Sequence, residues 1–112
     1  TAGVGEQTAM TASIIDSFKQ QVRRCWNFPI GAPNAEELVV ALKIELKEDG
    51  NLVSVKFAEP MRVAAGNSYY RAAAEAARRA VIQCAAYKLP ADAYSEWREL
   101  TLEFDPRWAV TH

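Results

Sequence analysis

The 112-residue chain has a single histidine, His112, and it is the last residue, where nothing can hold it in a defined geometry. This takes histidine-based triads and His-containing zinc sites out of consideration. Charge of one sign is missing as well. Thirteen Lys and Arg against fourteen Asp and Glu leave a net charge of -1, without the basic excess that marks nucleic-acid binding or attachment to a membrane surface. No run reaches the roughly 18 apolar residues of a membrane span. Cysteine is scarce: Cys25 and Cys84 lie too far apart for a CxxC redox or zinc motif, and by themselves admit one disulfide or two buried thiols. Gly-rich phosphate loops, nucleophile elbows and paired catalytic carboxylates are absent too, so neither an enzyme nor a cofactor site is expected. Glu36-Glu37 and Glu48-Asp49 lack calcium-loop spacing and read as loop charges.

What is present suits one modest domain. The hydrophobic fraction is 50%, but 20 of those residues are Ala, which limits the bulky core. Residues 1–10 are small and polar, without a signal-peptide core, and read as the flexible end of a stalk or linker from a longer protein. Thr11 and Ser13 are candidate N-caps, with Asp16 completing a capping box. Ile15, Phe18, Val22 and Cys25 then recur at helical steps, and Asn27 and Pro29 end the helix.

After a Pro- and Gly-containing connector, Leu38, Val40, Leu42, Ile44 and Leu46 alternate with more polar residues, the period of a strand with one buried face. Asp49-Gly50 supplies a turn, and a second strand from Leu52 to Phe57 is expected to place Val53, Val55 and Phe57 on one side before Pro60 closes it. Asn67 and Ser68 cap a long Ala-rich helix from Tyr69 to Cys84. Its stripe is Tyr70, Ala73, Ala77, Val81 and Cys84, and Arg71, Glu75 and Arg79 are expected to form i,i+4 pairs on the solvated side. Arg78-Arg79 likewise reads as solvated rather than phosphate-binding. A loop with Tyr94 and Trp97 leads to a last strand, Glu99 to Phe104, ended by Asp105-Pro106. Trp26, Trp97 and Trp108 are expected to close the core rather than to face a partner. The order α-β-β-α-β predicts an α+β domain, with a three-stranded antiparallel sheet in the order two-one-three and both helices on one face.

Four stretches carry a resemblance: Arg24-Cys-Trp-Asn-Phe-Pro29; the Leu38 to Leu46 strand with Asp49-Gly50; Ala85-x-Tyr-Lys-Leu-Pro90 with Tyr94-x-x-Trp97-Arg98; and Glu99-Leu-Thr-Leu-Glu-Phe-Asp-Pro106. Together they make residues 11–108 resemble the C-terminal periplasmic domain of the TolA family, a relative of the TonB C-terminal domain, followed by a tail, 109–112. The Tyr-Pro signature that opens many TonB domains is absent, which favours TolA over a TonB-type transducer serving outer-membrane transporters. The resemblance implies the periplasm of a Gram-negative bacterium and a Tol-Pal role in envelope integrity and cell division. It also implies TolB and Pal as partners, TolQ and TolR reached through an upstream part, and colicins and filamentous phage as exploiters. A secreted α+β inhibitor of hydrolases is the reading from a different class.

In that oxidising setting, a disulfide between Cys25 and Cys84 is favoured over two thiols. Residues 27–37 can reach roughly 36–40 Å, enough to carry the chain back past a helix about 20 Å long. By its residues alone, the last strand reads as an ordinary edge guarded by Arg98, Glu99 and Glu103. The resemblance reverses that order: it implies that Glu99, Leu100, Thr101, Leu102, Glu103 and Phe104 receive a partner strand by β-augmentation.

Overall fold

The computed structural model describes residues 9–28 and 31–107. Residues 1–8 of the linker expected over 1–10, Pro29, Trp108, the tail 109–112 and with it His112 lie outside the described residues, whereas the last two linker positions, 9 and 10, belong to the first helix. The first helix, α1, runs over Ala9–Arg23, so the candidate caps Thr11 and Ser13 lie inside it. Ala and Met, both good helix formers, carry it further toward the N-terminus than the capping pattern suggested. Its buried stripe is Ile14, Phe18 and Val22, at 2%, 0% and 0% exposure. Ile15, expected in that stripe, is only half-buried. The helix also stops before Asn27. The N–H groups of Cys25 and Trp26 donate to the carbonyls of Val22 and Arg23 at 3.0 and 3.2 Å, three-residue bonds that tighten the last turn.

The sheet consists of β1 (Val40–Leu46), β2 (Leu52–Phe57) and β3 (Glu99–Phe104). Its order is β2-β1-β3, and both pairings are antiparallel. Val40, Leu42, Ile44, Leu46, Val55, Leu100, Leu102 and Phe104 are buried on one face. Lys43, Glu45, Lys56, Glu99, Thr101 and Glu103 are exposed on the other. The expected alternation fails at one residue of β2. Glu45 pairs with Ser54 but Leu46 pairs with Leu52, so Val53 is an extra residue in a bulge and is 50% exposed.

The long helix, here α3, spans Ser68–Cys84, and its N-cap Asn67 accepts the Tyr70 N–H on Oδ1 at 2.8 Å. Five alanines, Ala73, Ala74, Ala76, Ala77 and Ala80, are buried along it with Tyr70 and Val81. Side chains this small let α3 lie directly against β2 and β1, with α1 packed beside it. The expected i,i+4 pairs do not form: Glu75 meets Arg78 at 3.9 Å, and the Arg71 guanidinium donates instead to the Gly66 carbonyl. Two short helices stand where the sequence pattern predicts a strand end and a loop. The first, α2 (Pro60–Ala65), begins at Pro60 itself, because proline lacks only an N–H that the first turn leaves unused. The second, α4 (Tyr94–Trp97), follows a 3-10 turn at Ala91–Ala93.

Long-range polar contacts bind the connections to this frame. Tyr87 is buried, stacks on Phe18 with centroids 4.2 Å apart, and donates its hydroxyl to the Val81 carbonyl at 2.8 Å. Burial alone pushes its phenol well above the usual tyrosine range. The β1–β2 turn is fastened to the same residue, with the Tyr87 N–H donating to the Gly50 carbonyl at 2.8 Å. Gly50 has φ +87°, and a Cβ there would lie 1.8 Å from the Tyr87 oxygen, so both conformation and contact demand glycine. Cys25 and Cys84 form a disulfide with Cα atoms 5.9 Å apart, joining the C-terminal ends of α1 and α3.

Candidate partner-binding edge

Opposed residues in an antiparallel ladder alternate between pairs that exchange hydrogen bonds and pairs that do not. The Leu46 N–H donates to the Arg98 carbonyl at 2.9 Å, which sets the phase of the β1–β3 ladder. Counting along the register, Ile44 with Leu100, Leu42 with Leu102 and Val40 with Phe104 are the bonded pairs. The N–H and C=O groups of Glu99, Thr101 and Glu103 therefore point away from β1, to the side of β3 where no further strand lies among the described residues. Their side chains are exposed, whereas Leu100, Leu102 and Phe104 are at most 8% exposed and root the strand in the core. All six expected residues lie on this one strand in two sets: three present an open edge and three hold it in place.

Beside this edge runs a groove of about 280 Å³, lined by Ile15, Lys19, Thr101, Leu102, Glu103 and Asp105. Its far wall is α1. That helix is held by Phe18 and Val22 in the core, by the disulfide, and by Gln21, whose amide donates to the Lys88 carbonyl at 2.9 Å and accepts the Lys88 N–H at 2.8 Å. The Arg107 guanidinium, donating from Nε to Asp105 at 3.0 Å, holds that carboxyl below the usual carboxylate range, and Lys19 adds to the effect. Ile15 as a groove residue, Lys19 and Asp105 were all missed by sequence reasoning. No local pattern marks them, because the groove joins residues more than eighty positions apart.

The other edge of the sheet is built differently. The Ala58 N–H donates to the Ala41 carbonyl at 2.9 Å, so Ser54 and Lys56 bond to β1 and the groups of Val55 and Phe57 point outward. The Val53 bulge interrupts that row, and α2 and α3 pack against β2.

Both tryptophans among the described residues, Trp26 and Trp97, serve the core. Trp97 is 0% exposed and donates Nε1–H to the Pro90 carbonyl at 2.8 Å. Trp26 meets Phe28 and Phe104 edge to face at 5.8 and 5.5 Å. The other charged motifs stay local: Glu36 and Glu37 are exposed in a 3-10 turn, and Asp49 accepts the Asn51 N–H at 2.9 Å. Among the described residues, no cluster of three or more His, Cys, Asp or Glu side chains could hold a metal, and no helix is long and apolar enough to cross a membrane.

No protein-family model and no curated protein matches the chain. A solved structure does: the solution NMR structure of TolAIII bound to a peptide derived from the N-terminus of TolB superposes with a TM-score of 0.63. The match covers 94% of this chain and 82% of that one, at 20% sequence identity. The fold is that of TolAIII. At this identity the likeness reaches the architecture and not the side chains.

Proposed function

We propose that this chain is a non-enzymatic, TolA-type interaction domain that takes up an extended segment of a partner along β3. One observation carries the reading: the outward-facing backbone groups of Glu99, Thr101 and Glu103, on a strand whose other residues are locked into the core. Such an edge recognises its partner mainly through main-chain hydrogen bonds. The shared fold with TolAIII, whose solved structure holds a TolB-derived peptide, supports TolB as the partner. The Cys25–Cys84 disulfide supports an oxidising compartment, the periplasm. In this reading the domain links inner-membrane energy to outer-membrane partners of the Tol-Pal system, in envelope integrity and cell division, with Pal as a further partner and colicins and phage as exploiters.

The test is a titration of the chain with a peptide from the N-terminus of the TolB of the same organism. Thr101→Pro removes an outward N–H and leaves the β1 ladder whole, so it should weaken binding at least about tenfold, the loss of one or two net hydrogen bonds, while the circular dichroism spectrum stays native. Undiminished binding by the folded variant would count against β3 as the site.

A further inference from the structure

A strand laid beside β3 continues the pleat, so its side chains fall in line with those of β3. Residues opposite Glu99, Thr101 and Glu103 emerge on the open face. Residues opposite Leu100 and Leu102 turn toward α1, where Ile15 and Leu102 line the groove. The open face is not neutral toward its guest. Glu99 lies directly opposite Glu45 in a non-bonded pair, the closer kind, and like charges so placed repel. Lys43, which could have offset them, lies opposite Thr101 on one side and Lys56 on the other. Glu103 faces only Ala41. Both edge carboxylates are exposed, and neither makes an ion pair among the described residues.

The same pattern argues against a second copy of this chain as the guest. Two β3 strands paired antiparallel about Thr101 would set Glu99 of each against Glu103 of the other, two repulsive contacts across one short ladder.

We infer that the partner strand carries a basic residue opposite Glu99, another opposite Glu103, a hydroxyl or β-branched residue opposite Thr101, and apolar residues between them facing Ile15. The two cations stand four residues apart, about 13 Å along the strand. This specificity rests on the β3-edge reading above and adds side-chain selection to it.

Short labelled synthetic peptides centred on Lys-Val-Thr-Val-Lys, Glu-Val-Thr-Val-Glu and the rearranged Lys-Lys-Thr-Val-Val test it by fluorescence titration against the full chain. The alternating basic peptide should bind roughly tenfold more tightly than the acidic one, and the margin should shrink with salt. It should also bind more tightly than the rearranged peptide. The exposed double variant Glu99→Lys with Glu103→Lys should invert the preference for acid or base. N-methylation of the edge-facing amides of the basic peptide removes the backbone bonds without altering the protein, and should abolish binding. Equal affinity for the basic and acidic peptides, with N-methylation still abolishing binding, would overturn the charge selection and leave the edge reading standing. Binding untouched by N-methylation would overturn both, and so would a basic peptide that fails to bind up to millimolar concentration.

Discussion

The two edges of one small sheet are treated in opposite ways. On β2 the row of outward backbone groups is broken by the Val53 bulge and flanked by α2 and α3. On β3 the row runs straight from Glu99 to Glu103, with no bulge in its pairing to β1 and a groove along its side. Edge strands invite unwanted pairing, and bulges, short flanking helices and charges are common safeguards. Among the described residues, the backbone safeguards fall on β2 and only charge guards β3. Charge repels like edges yet admits a strand of opposite sign, so this difference separates a closed edge from a selective one.

The sharpest break of that comparison lies between neighbouring residues. Leu102 donates into the β1 ladder and is buried, whereas Thr101 faces out and is exposed. Leu102→Pro should cost at least about 4 kcal/mol, combining a lost ladder bond, ring strain and a core cavity, and Thr101→Pro only about 1 kcal/mol. Urea unfolding measures both, and equal losses would mean that the ladder phase is wrong. Next in size, reducing the disulfide releases a separation of 59 residues, worth about 4 kcal/mol as loop entropy and typically 2–5 kcal/mol. Because α1 walls only the β3 side, hydrogen exchange in the reduced protein should rise in α1 and β3 before β2. Uniform loosening would show that α1 does not support that edge.

The smallest effect is acid dependence at the end of β3. Arg107 depresses the Asp105 carboxyl, so this group stabilises the fold above its unfolded pKa and the contribution disappears as pH falls through the lower, folded value. Arg107 is 79% exposed, and screening by solvent keeps the contribution below about 1 kcal/mol. Asp105→Asn should flatten the acid limb of a stability-versus-pH curve slightly. An unchanged limb would place the acid sensitivity elsewhere.

Where one face is sealed and the other wet, the pattern of residues reads clearly, which is why β1 and β3 were legible from alternation alone. Their antiparallel order followed from chain direction and from the preference of so small a sheet for antiparallel pairing. The failures have local causes. Val53 looks like a core residue until a bulge turns it outward, and six residues from Pro60 are too few to show a helical period. On α1, Ile14 and Ile15 both suit a helical stripe, and only the packed neighbours choose between them. The edge strand was legible, whereas its groove was not. Ile15 and Lys19 meet Thr101 and Asp105 only after the whole sheet has closed between them.

The disulfide also decides how the molecule answers a pull on its two ends. Tension entering through α1 passes at Cys25 directly to Cys84 and then to β3, so the β1–β2 hairpin and α3 sit inside a covalent loop and carry none of it. While the bond is intact, the 59-residue separation it spans withholds on the order of 200 Å of contour length. Among the described residues, the chain can give way only outside that loop, in α1 and from Ala85 through α4 to β3.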